Sequence, residues 1–338
     1  MTSSPSRSPF ARRTAGSAAR VAAQPDDSAR RRTLLLRLAA ATLAATALLV
    51  ALASPARAQD SRSELLVEPS WLMENVDRDD VVVVHVARNA DAMDGLETVP
   101  GASAMHLNQI AFSSMEEDET HAMLDLPEDL SSVAAVFEDA GVSDDSRVVL
   151  VYGEGRFPNA SRAAWTLQML GRSEGVSILN GGVNAWVAAG GSLAAPSTVE
   201  AGSMGSSWTL DRRVDGEWVL AHGEDDGVAL IDARRTVSYD GTRPELPGRV
   251  GHIPGAGSLP QTELYDEEGR LKPAEELRSL FEAAGFEDGD EVVAYCHIGY
   301  WASAVVFAAR TLGLDARLYD GSMTEWAADE DLPLVVPR

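Results

Sequence analysis

The sequence contains a single cysteine, Cys296, whose surroundings favour nucleophilic chemistry. The apolar residues 291–295 before it read as a buried strand, and a helical pattern begins a few residues after it. A loop between a strand and a helix can direct backbone N–H groups and the helix N-terminus at the sulfur, which binds anions and lowers the pKa of a thiol. We therefore expect a thiolate that attacks a substrate or holds a persulfide. A small, buried and unreactive cysteine is the alternative. The loop and the helix start comprise His297, Ile298, Gly299, Tyr300, Trp301, Ala302 and Ser303.

The elements around this cysteine have counterparts earlier in the chain. In each half a buried strand ends in Ala-Arg, and a Pro-Gly-Ala turn follows. A second apolar strand then runs into a Gly-containing loop and a helix, and a Gly and a Trp close the half. The matched positions are Arg88 and Arg234, Pro100 and Pro254, Gly153 and Cys296, and Trp186 and Trp326. Their offset drifts between 140 and 154 residues, as in a duplicated domain with loop insertions. One copy is therefore expected to be active and the other, without the cysteine, to be inactive.

Short apolar strands that alternate with helical stretches predict an α/β fold with two tandem domains, each a parallel sheet flanked by helices. The helices after the second strand of each half are expected over residues 161–170 and 302–312. Residues 59–195 form the expected N-terminal domain, and residues 208–338 the catalytic C-terminal domain. The segment 196–207 is rich in Gly, Ser and other small residues, which is typical of a linker.

Residues 1–58 are predicted to be a signal peptide rather than part of the fold. Three arginines at 30–32 precede an Ala- and Leu-rich run of about 20 residues, and Ala56-Arg57-Ala58 follows it. The arginines before Thr33 resemble a twin-arginine signal, with the Sec route as the alternative. A retained membrane anchor is the alternative to a cleaved signal peptide, because the apolar run is long enough to span a membrane. We expect cleavage near Gln59, a periplasmic or secreted protein, and no stable membrane insertion after cleavage.

The composition excludes several other classes. The chain carries 28 basic and 52 acidic residues, a formal net charge of −24, so a nucleic-acid partner is not expected. One cysteine allows neither an internal disulfide nor a zinc site made of cysteines alone. The six histidines show no i,i+4 or His-x-His spacing, so no metal site is predicted.

Together these motifs resemble a known family. The paired halves, Asp232-Ala-Arg234, the Gly-His-Ile-Pro-Gly-Ala turn that contains His252, the Cys296 loop and Asp320-Gly with Trp326 are similar to the two-domain rhodaneses. These are the thiosulfate and 3-mercaptopyruvate sulfurtransferases. The resemblance implies an enzyme that takes a sulfane sulfur from thiosulfate or a related donor, or from 3-mercaptopyruvate. The sulfur would be held as a Cys296 persulfide and passed to cyanide or another thiophile. No cofactor is implied, the partners are small molecules, and the oligomeric state stays open.

The resemblance also suggests roles for residues near the loop. Asp232 would accept hydrogen bonds beside it, and Arg234 would pair with a carboxylate or loop carbonyls. Ser303 would bond the sulfur or cap its helix. Two departures concern the donor. His297 and Ile298 stand where thiosulfate-specific relatives carry cations, and Ser238 precedes Tyr239 where the family has its substrate arginine. The candidates for the missing charge are Arg235, Arg243 and Arg249.

Three other functions compete with sulfur transfer. A cysteine-dependent phosphatase needs an arginine six positions after the cysteine, but that position is Ala302. A non-catalytic sulfur carrier or binding module would keep the cysteine and turn over poorly. A metal-binding protein would rest on histidines whose spacing does not favour it.

Overall fold

The computed structural model describes residues 61–113, 124–126, 129–153, 155–243 and 249–336. Over these ranges, no helix combines the length and apolar character needed to cross a bilayer. The predicted signal peptide, residues 1–58, lies outside the described residues.

The first half builds a parallel sheet from five short, mostly buried strands. They are β1 (Leu66–Val67), β2 (Val81–Ala87), β3 (Ser103–His106), β6 (Arg147–Val151) and β7 (Val176–Leu179). They pair in the order β1-β7-β6-β2-β3. Because both faces of this sheet are covered, its central strands read as continuous Val-rich runs. A separate antiparallel pair consists of β4 (Phe112–Ser113) and β5 (Leu124–Asp125).

The second half repeats this sheet. Its strands are β8 (Arg213–Val214), β9 (Val228–Asp232), β10 (Gly257–Ser258), β11 (Glu291–Tyr295) and β12 (Ala316–Tyr319). They are parallel in the order β10-β9-β11-β12-β8, which is the order of the first sheet read from the other edge. The predicted fold class, two tandem domains with parallel sheets, is therefore confirmed.

Helices flank both sheets. They are α1 (Pro69–Asn75), α2 (Ser131–Asp139), α3 (Phe157–Met169), α4 (Gly182–Ala188), α5 (Gly216–His222), α6 (Thr236–Tyr239), α7 (Ala274–Ala283), α8 (Ala302–Thr311) and α9 (Ser322–Ala328). Short 3-10 turns cover Ala90–Met93, Leu107–Gln109 and Gln261–Leu264. Helix α3 begins at Phe157 rather than at the expected Ser161, because a proline, Pro158, fits the first turn of a helix, where its missing N–H is not needed.

The two halves share one apolar core. Helices α3 and α8 pack against each other, and every residue of α3 is buried. A single cluster of buried side chains joins both helices to one face of each sheet. The outer face of each sheet packs on a tryptophan, Trp186 or Trp326. Their indole N–H groups donate to the carbonyls of Ser192 and Pro333, at 2.8 Å in both halves.

The segment 196–207 lies against the N-terminal half without forming a helix or a strand. The Ser197 N–H donates to the Ala102 carbonyl at 2.8 Å, and the Gly202 N–H donates to the Glu138 carbonyl at 2.7 Å. A Cβ at Gly202 would lie 2.1 Å from the Val142 carbonyl oxygen. Glycine here therefore permits a close backbone contact and not only freedom of movement.

Candidate active site

Cys296 directly follows β11, the central strand of the second sheet, at its carboxyl end. Parallel α/β sheets place their ligand sites at this edge. The neighbouring strand β9 ends in register with it, because Tyr295 pairs with Asp232. The sequence prediction of a strand, a loop and then a helix at Ala302 agrees with this geometry.

The loop after Cys296 is held by the hydroxyl of Ser322, the first residue of α9. The Ser322 Oγ accepts hydrogen bonds from the N–H of Cys296 at 3.1 Å and of Gly299 at 3.0 Å, and it donates to the Tyr319 carbonyl at 2.9 Å. Ser322 is fully buried and has a φ of 55°, a left-handed conformation that disfavours a side chain. It is the single non-glycine residue with positive φ in the described part of the chain.

Helix α9 also fixes the loop through the loop's carbonyl groups. The Met323 N–H donates to the Cys296 carbonyl at 3.1 Å, and the Thr324 N–H donates to the His297 carbonyl at 3.0 Å. At the loop tip, Gly299 has a φ of 75°, and a Cβ there would lie 2.4 Å from Asp320 Oδ1. Only glycine fits this position.

The thiol of Cys296 is buried, with 1% of the residue exposed. Burial raises the pKa of this thiol, and the carboxylate of Asp232 raises it further. Hydrogen bonds from the backbone N–H groups of Ala302, Ile298 and Trp301 lower the pKa, but by less than burial raises it. The cradle of amides exists as expected, whereas the expected net lowering of the thiol pKa is wrong, because the sequence does not show how completely the folded chain covers the sulfur.

Asp232 and Arg234 form a buried ion pair beside the cysteine. The Arg234 Nη2 lies 2.6 Å from Asp232 Oδ2, the Arg234 Nε lies 2.9 Å from Oδ1, and Nη2 also donates to the Gly251 carbonyl at 2.7 Å. Both residues are nearly inaccessible to solvent. Arg234 is thus neutralised by its partner and ties β9 to the following turn. Of the two predicted partners of Arg234, a carboxylate or the loop carbonyls, the geometry contains the carboxylate, and the carbonyl it reaches belongs to Gly251 in the turn after β9.

The other predicted side chains differ in how close they lie to the Cys296 loop. Tyr239 stacks on His252, with ring centroids 3.8 Å apart, and its hydroxyl donates to the Ala256 carbonyl at 2.8 Å, so both rings brace the turn after β9. Arg249 donates to the carbonyls of Asp329 and Leu332, both at 2.7 Å, and is therefore held at the C-terminal segment.

Of the remaining candidate cations, Arg235 is near the loop. The Arg235 guanidinium carbon lies 6.0 Å from the Trp301 ring centroid, and His297 packs edge-on against the same ring. Arg243 is exposed, and its side chain forms no hydrogen bond or ion pair with residues 296–301, all of which the structure describes. Ile298 is half-buried against the apolar core.

The N-terminal half contributes side chains that the sequence did not point to. The Tyr300 hydroxyl donates to Asn159 Oδ1 at 2.6 Å, and Asn159 Nδ2 donates to the Val86 carbonyl at 3.0 Å. The hydroxyls of Ser161 and Ser303 lie 2.9 Å apart, and Ser303 donates to the Tyr300 carbonyl at 2.7 Å. The expectation that Ser303 bonds the sulfur or caps its helix is therefore wrong. Its hydroxyl lies instead at the contact between the halves.

A buried ion pair between the halves supports the loop from beneath. Both side chains, Arg162 on α3 and Asp320 before α9, are fully buried and form two hydrogen bonds, one of them 3.1 Å long. The Asp320 carboxylate lies directly under Gly299. The available sequence signal was an arginine in a helix that has no other charged residue, because a buried charge requires a partner.

Comparisons with known proteins agree with the repeat. The family model of the rhodanese-like domain matches twice, over residues 68–189 and 215–329. The chain is 30% identical over 283 residues to the 3-mercaptopyruvate sulfurtransferase of Escherichia coli, covering 79% of this chain and 96% of the relative. It is 29% identical to the sulfur carrier protein TtuD of Thermus thermophilus, covering 80% of this chain and 96% of that protein. The crystal structure of SseA from Escherichia coli, a 3-mercaptopyruvate sulfotransferase, superimposes with a TM-score of 0.64 at 29% identity, covering 77% of this chain and 98% of that one.

Proposed function

The chain belongs to the rhodanese-like family with two tandem domains, and on that basis we propose that it is a sulfurtransferase that carries sulfane sulfur on Cys296. The donor in this proposal is thiosulfate, and the acceptor is cyanide or another thiophile. The alternative donor is 3-mercaptopyruvate, after which the Escherichia coli relative is named. Small-molecule donors and acceptors are the substrates in either case.

One observation carries this proposal. The sole cysteine stands in a cradle of backbone N–H groups in the second domain, while the matching loop of the first domain has Gly153. The N–H groups of Ile298, Trp301 and Ala302 lie close enough to the sulfur to lower the pKa of the thiol, and they are placed to stabilise negative charge on a thiolate or persulfide. A side chain needed only for packing would not require three such donors.

The reaction runs in two half-reactions. The Cys296 thiolate attacks the outer sulfur of thiosulfate, the S–S bond breaks with its electron pair, and sulfite leaves. The resulting Cys296 persulfide is then attacked at its outer sulfur by cyanide, which leaves as thiocyanate and regenerates the thiolate. With 3-mercaptopyruvate, the C–S bond breaks instead, and the enolate of pyruvate takes up a proton.

The test is the intact mass of the protein before and after exposure to each donor. We expect a gain of about 32 Da, the mass of one sulfur atom, which is lost when cyanide is added. Cys296→Ser is the matched control, because it keeps the size of the side chain and cannot form a persulfide. A protein that gains no sulfur from either donor, or that gains it in the Cys296→Ser variant, contradicts the proposal.

A sulfur carrier is the second candidate function, favoured by the resemblance to the Thermus thermophilus protein of that name. A carrier accepts the sulfur but releases it slowly without a protein acceptor. Steady-state formation of thiocyanate separates the two functions, since an enzyme turns over many times and a carrier releases about one equivalent.

We also propose that residues 1–58 direct export, so that the mature protein is periplasmic or secreted. This rests on the charged, apolar and small-residue regions of that segment. Replacing Arg31 and Arg32 together by lysine should block export if the route is twin-arginine. Full-length chain in the membrane fraction would instead identify an anchor.

A further inference from the structure

The catalytic loop ends in a tyrosine that belongs to a polar cluster of the N-terminal half. The Tyr300 phenol is buried against Asn159, which in turn bonds to Val86 at the end of β2. Two arginines of the N-terminal half stand beside this contact. Arg88 directly follows β2, and Arg156 lies three residues before Asn159, where the loop matching the Cys296 loop ends.

Both guanidinium groups lie against the same phenol. The Arg88 guanidinium carbon is 4.7 Å from the Tyr300 ring centroid, which is the range of a cation–π contact. Arg156 is close enough to the hydroxyl that both arginines lower the pKa of Tyr300, partly offsetting the effect of burial. The two cations therefore converge on one side chain of the catalytic loop.

No carboxylate compensates these two charges within the described residues. Neither Arg88 nor Arg156 forms an ion pair there, whereas several other arginines of the described residues do. Glu154 lies outside the described ranges. Arg88 is half-buried and Arg156 is exposed, so a solute can reach both. Two guanidinium groups with a common neighbour repel each other, and an anion between them removes that repulsion.

In the catalytic half, one cation, Arg235, stands near the loop, with its guanidinium carbon 6.0 Å from the Trp301 ring centroid. The loop itself, residues 296–303, contains no Lys or Arg, and Arg234 is neutralised by Asp232. An anionic donor therefore meets a loop without fixed positive side chains, in a protein whose net charge is −24. Backbone N–H groups supply partial charges only, so the full charges must come from elsewhere.

We propose that Arg88 and Arg156 of the N-terminal half bind the anionic group of the sulfur donor next to Tyr300, so that the half without a cysteine supplies the cations for the half that has one. This inference rests on the proposed function for the identity of the donor. It assigns the N-terminal half a part in substrate binding in addition to its structural contacts.

The first test measures thiocyanate formation with thiosulfate at saturating cyanide, using Arg88→Gln, Arg156→Gln and the double variant. Each exposed or half-buried charge is worth up to about 1 kcal/mol, so we expect KM for thiosulfate to rise about fivefold in each single variant and about twentyfold in the double variant. The kcat should change less than KM, and Arg88→Lys and Arg156→Lys should restore most of the loss. High salt should reduce the differences.

Arg147→Gln is the matched control. Arg147 lies in the same half, and its guanidinium carbon stands 4.3 Å from the Trp71 ring centroid, but it begins β6 at the opposite end of the sheet from the loops. Its KM should equal that of the wild type. A comparison with Arg235→Gln locates the anion site, because an increase in KM confined to that variant would place the site on the C-terminal half and overturn the proposal.

A second measurement does not depend on sulfur transfer. The rate of Cys296 alkylation by iodoacetate, an anion, is divided by the rate with neutral iodoacetamide. The double variant should lower this ratio about tenfold, while the iodoacetamide rate stays within twofold of the wild type and shows that the loop is intact. An unchanged ratio in a folded double variant would refute the proposal even if sulfur transfer is confirmed. If the glutamine variants fail to fold, the ratio of iodoacetate to iodoacetamide rates in the wild type should still fall as the salt concentration rises. A ratio that does not depend on salt would also overturn the proposal.

Discussion

Replacing Ser322 by alanine removes the hydroxyl that accepts two N–H groups of the catalytic loop. The N–H groups of Cys296 and Gly299 donate to it at 3.1 and 3.0 Å, and both lie in a buried region. A buried donor left without a partner costs about 1–3 kcal/mol, so loss of both should make Ser322→Ala lower the free energy of unfolding by roughly 2–6 kcal/mol. The loop should also lose its fixed position, so kcat should fall at least tenfold.

The backbone conformation of Ser322 allows a sharper comparison. A side chain at φ 55° is strained by roughly 1 kcal/mol or more, and glycine relieves that strain while lacking the hydroxyl. Ser322→Gly should therefore be about 1 kcal/mol more stable than Ser322→Ala, although both lose the same hydrogen bonds. Catalysis should be impaired equally in the two variants, because activity depends on the hydroxyl rather than on the strain.

The assay combines urea unfolding, steady-state thiocyanate formation and the pH dependence of Cys296 alkylation. Without the Ser322 hydroxyl, the loop amides move and donate less well to the sulfur, so the pKa of the thiol should rise further. Wild-type stability together with a wild-type alkylation profile in Ser322→Ala would show that the hydroxyl does not hold the loop. Full activity in Ser322→Gly would refute the reasoning as well.

Cys296→Ser should abolish sulfur transfer while leaving the unfolding midpoint within a few degrees of the wild type, and a cysteine placed at Gly153 of that variant should not restore activity; thiocyanate formation checks both. Because burial raises the pKa of the Cys296 thiol above its ordinary value of 9.0, its alkylation rate should increase about tenfold per pH unit up to at least pH 8.5, and a plateau near pH 7 would show that the pKa is instead lowered. The same raised pKa implies that the contribution of this thiol to stability is complete below its unfolded pKa and is lost as the pH rises through the higher folded value. Arg162→Met should leave Asp320 buried without its partner and lower the free energy of unfolding by about 3–5 kcal/mol, whereas Arg162→Met combined with Asp320→Leu should recover part of this loss; a single variant as stable as the wild type in urea would contradict the assigned pairing.

Local features of the site could be predicted because they depend on neighbouring residues in the sequence. A strand before Cys296 and a helix after it determine that the loop directs its amides at the sulfur, and the repeat predicted two similar sheets. Ser322 could not be found in this way, because it lies 26 residues beyond the cysteine and acts through an unusual backbone angle. The predicted direction of the thiol pKa was wrong for a related reason, because the burial of the sulfur depends on how the whole chain packs over it.

Contacts between the halves also could not be predicted from the sequence. Asn159 and Arg162 lie in the copy without a cysteine, and nothing in their spacing indicates that they reach Tyr300 and Asp320. The buried arginine of α3 requires a partner, but the sequence offers many carboxylates from which to choose it. Only the packing of α3 on α8 identifies that partner.

The hydrogen bond between Ser161 and Ser303 has a consequence for the ancestry of the chain. These serines lie at nearly equivalent positions of the repeat, so their contact is the kind that a twofold relation between the two halves would produce. In an ancestral homodimer the same contact would have joined one residue to its own copy, as self-complementary dimer interfaces do. Each subunit would then have completed the reactive loop of the other. After gene fusion, one copy could lose its cysteine at little cost, but it could not lose the residues that served its neighbour, and selection on a single active centre would therefore have preserved both halves.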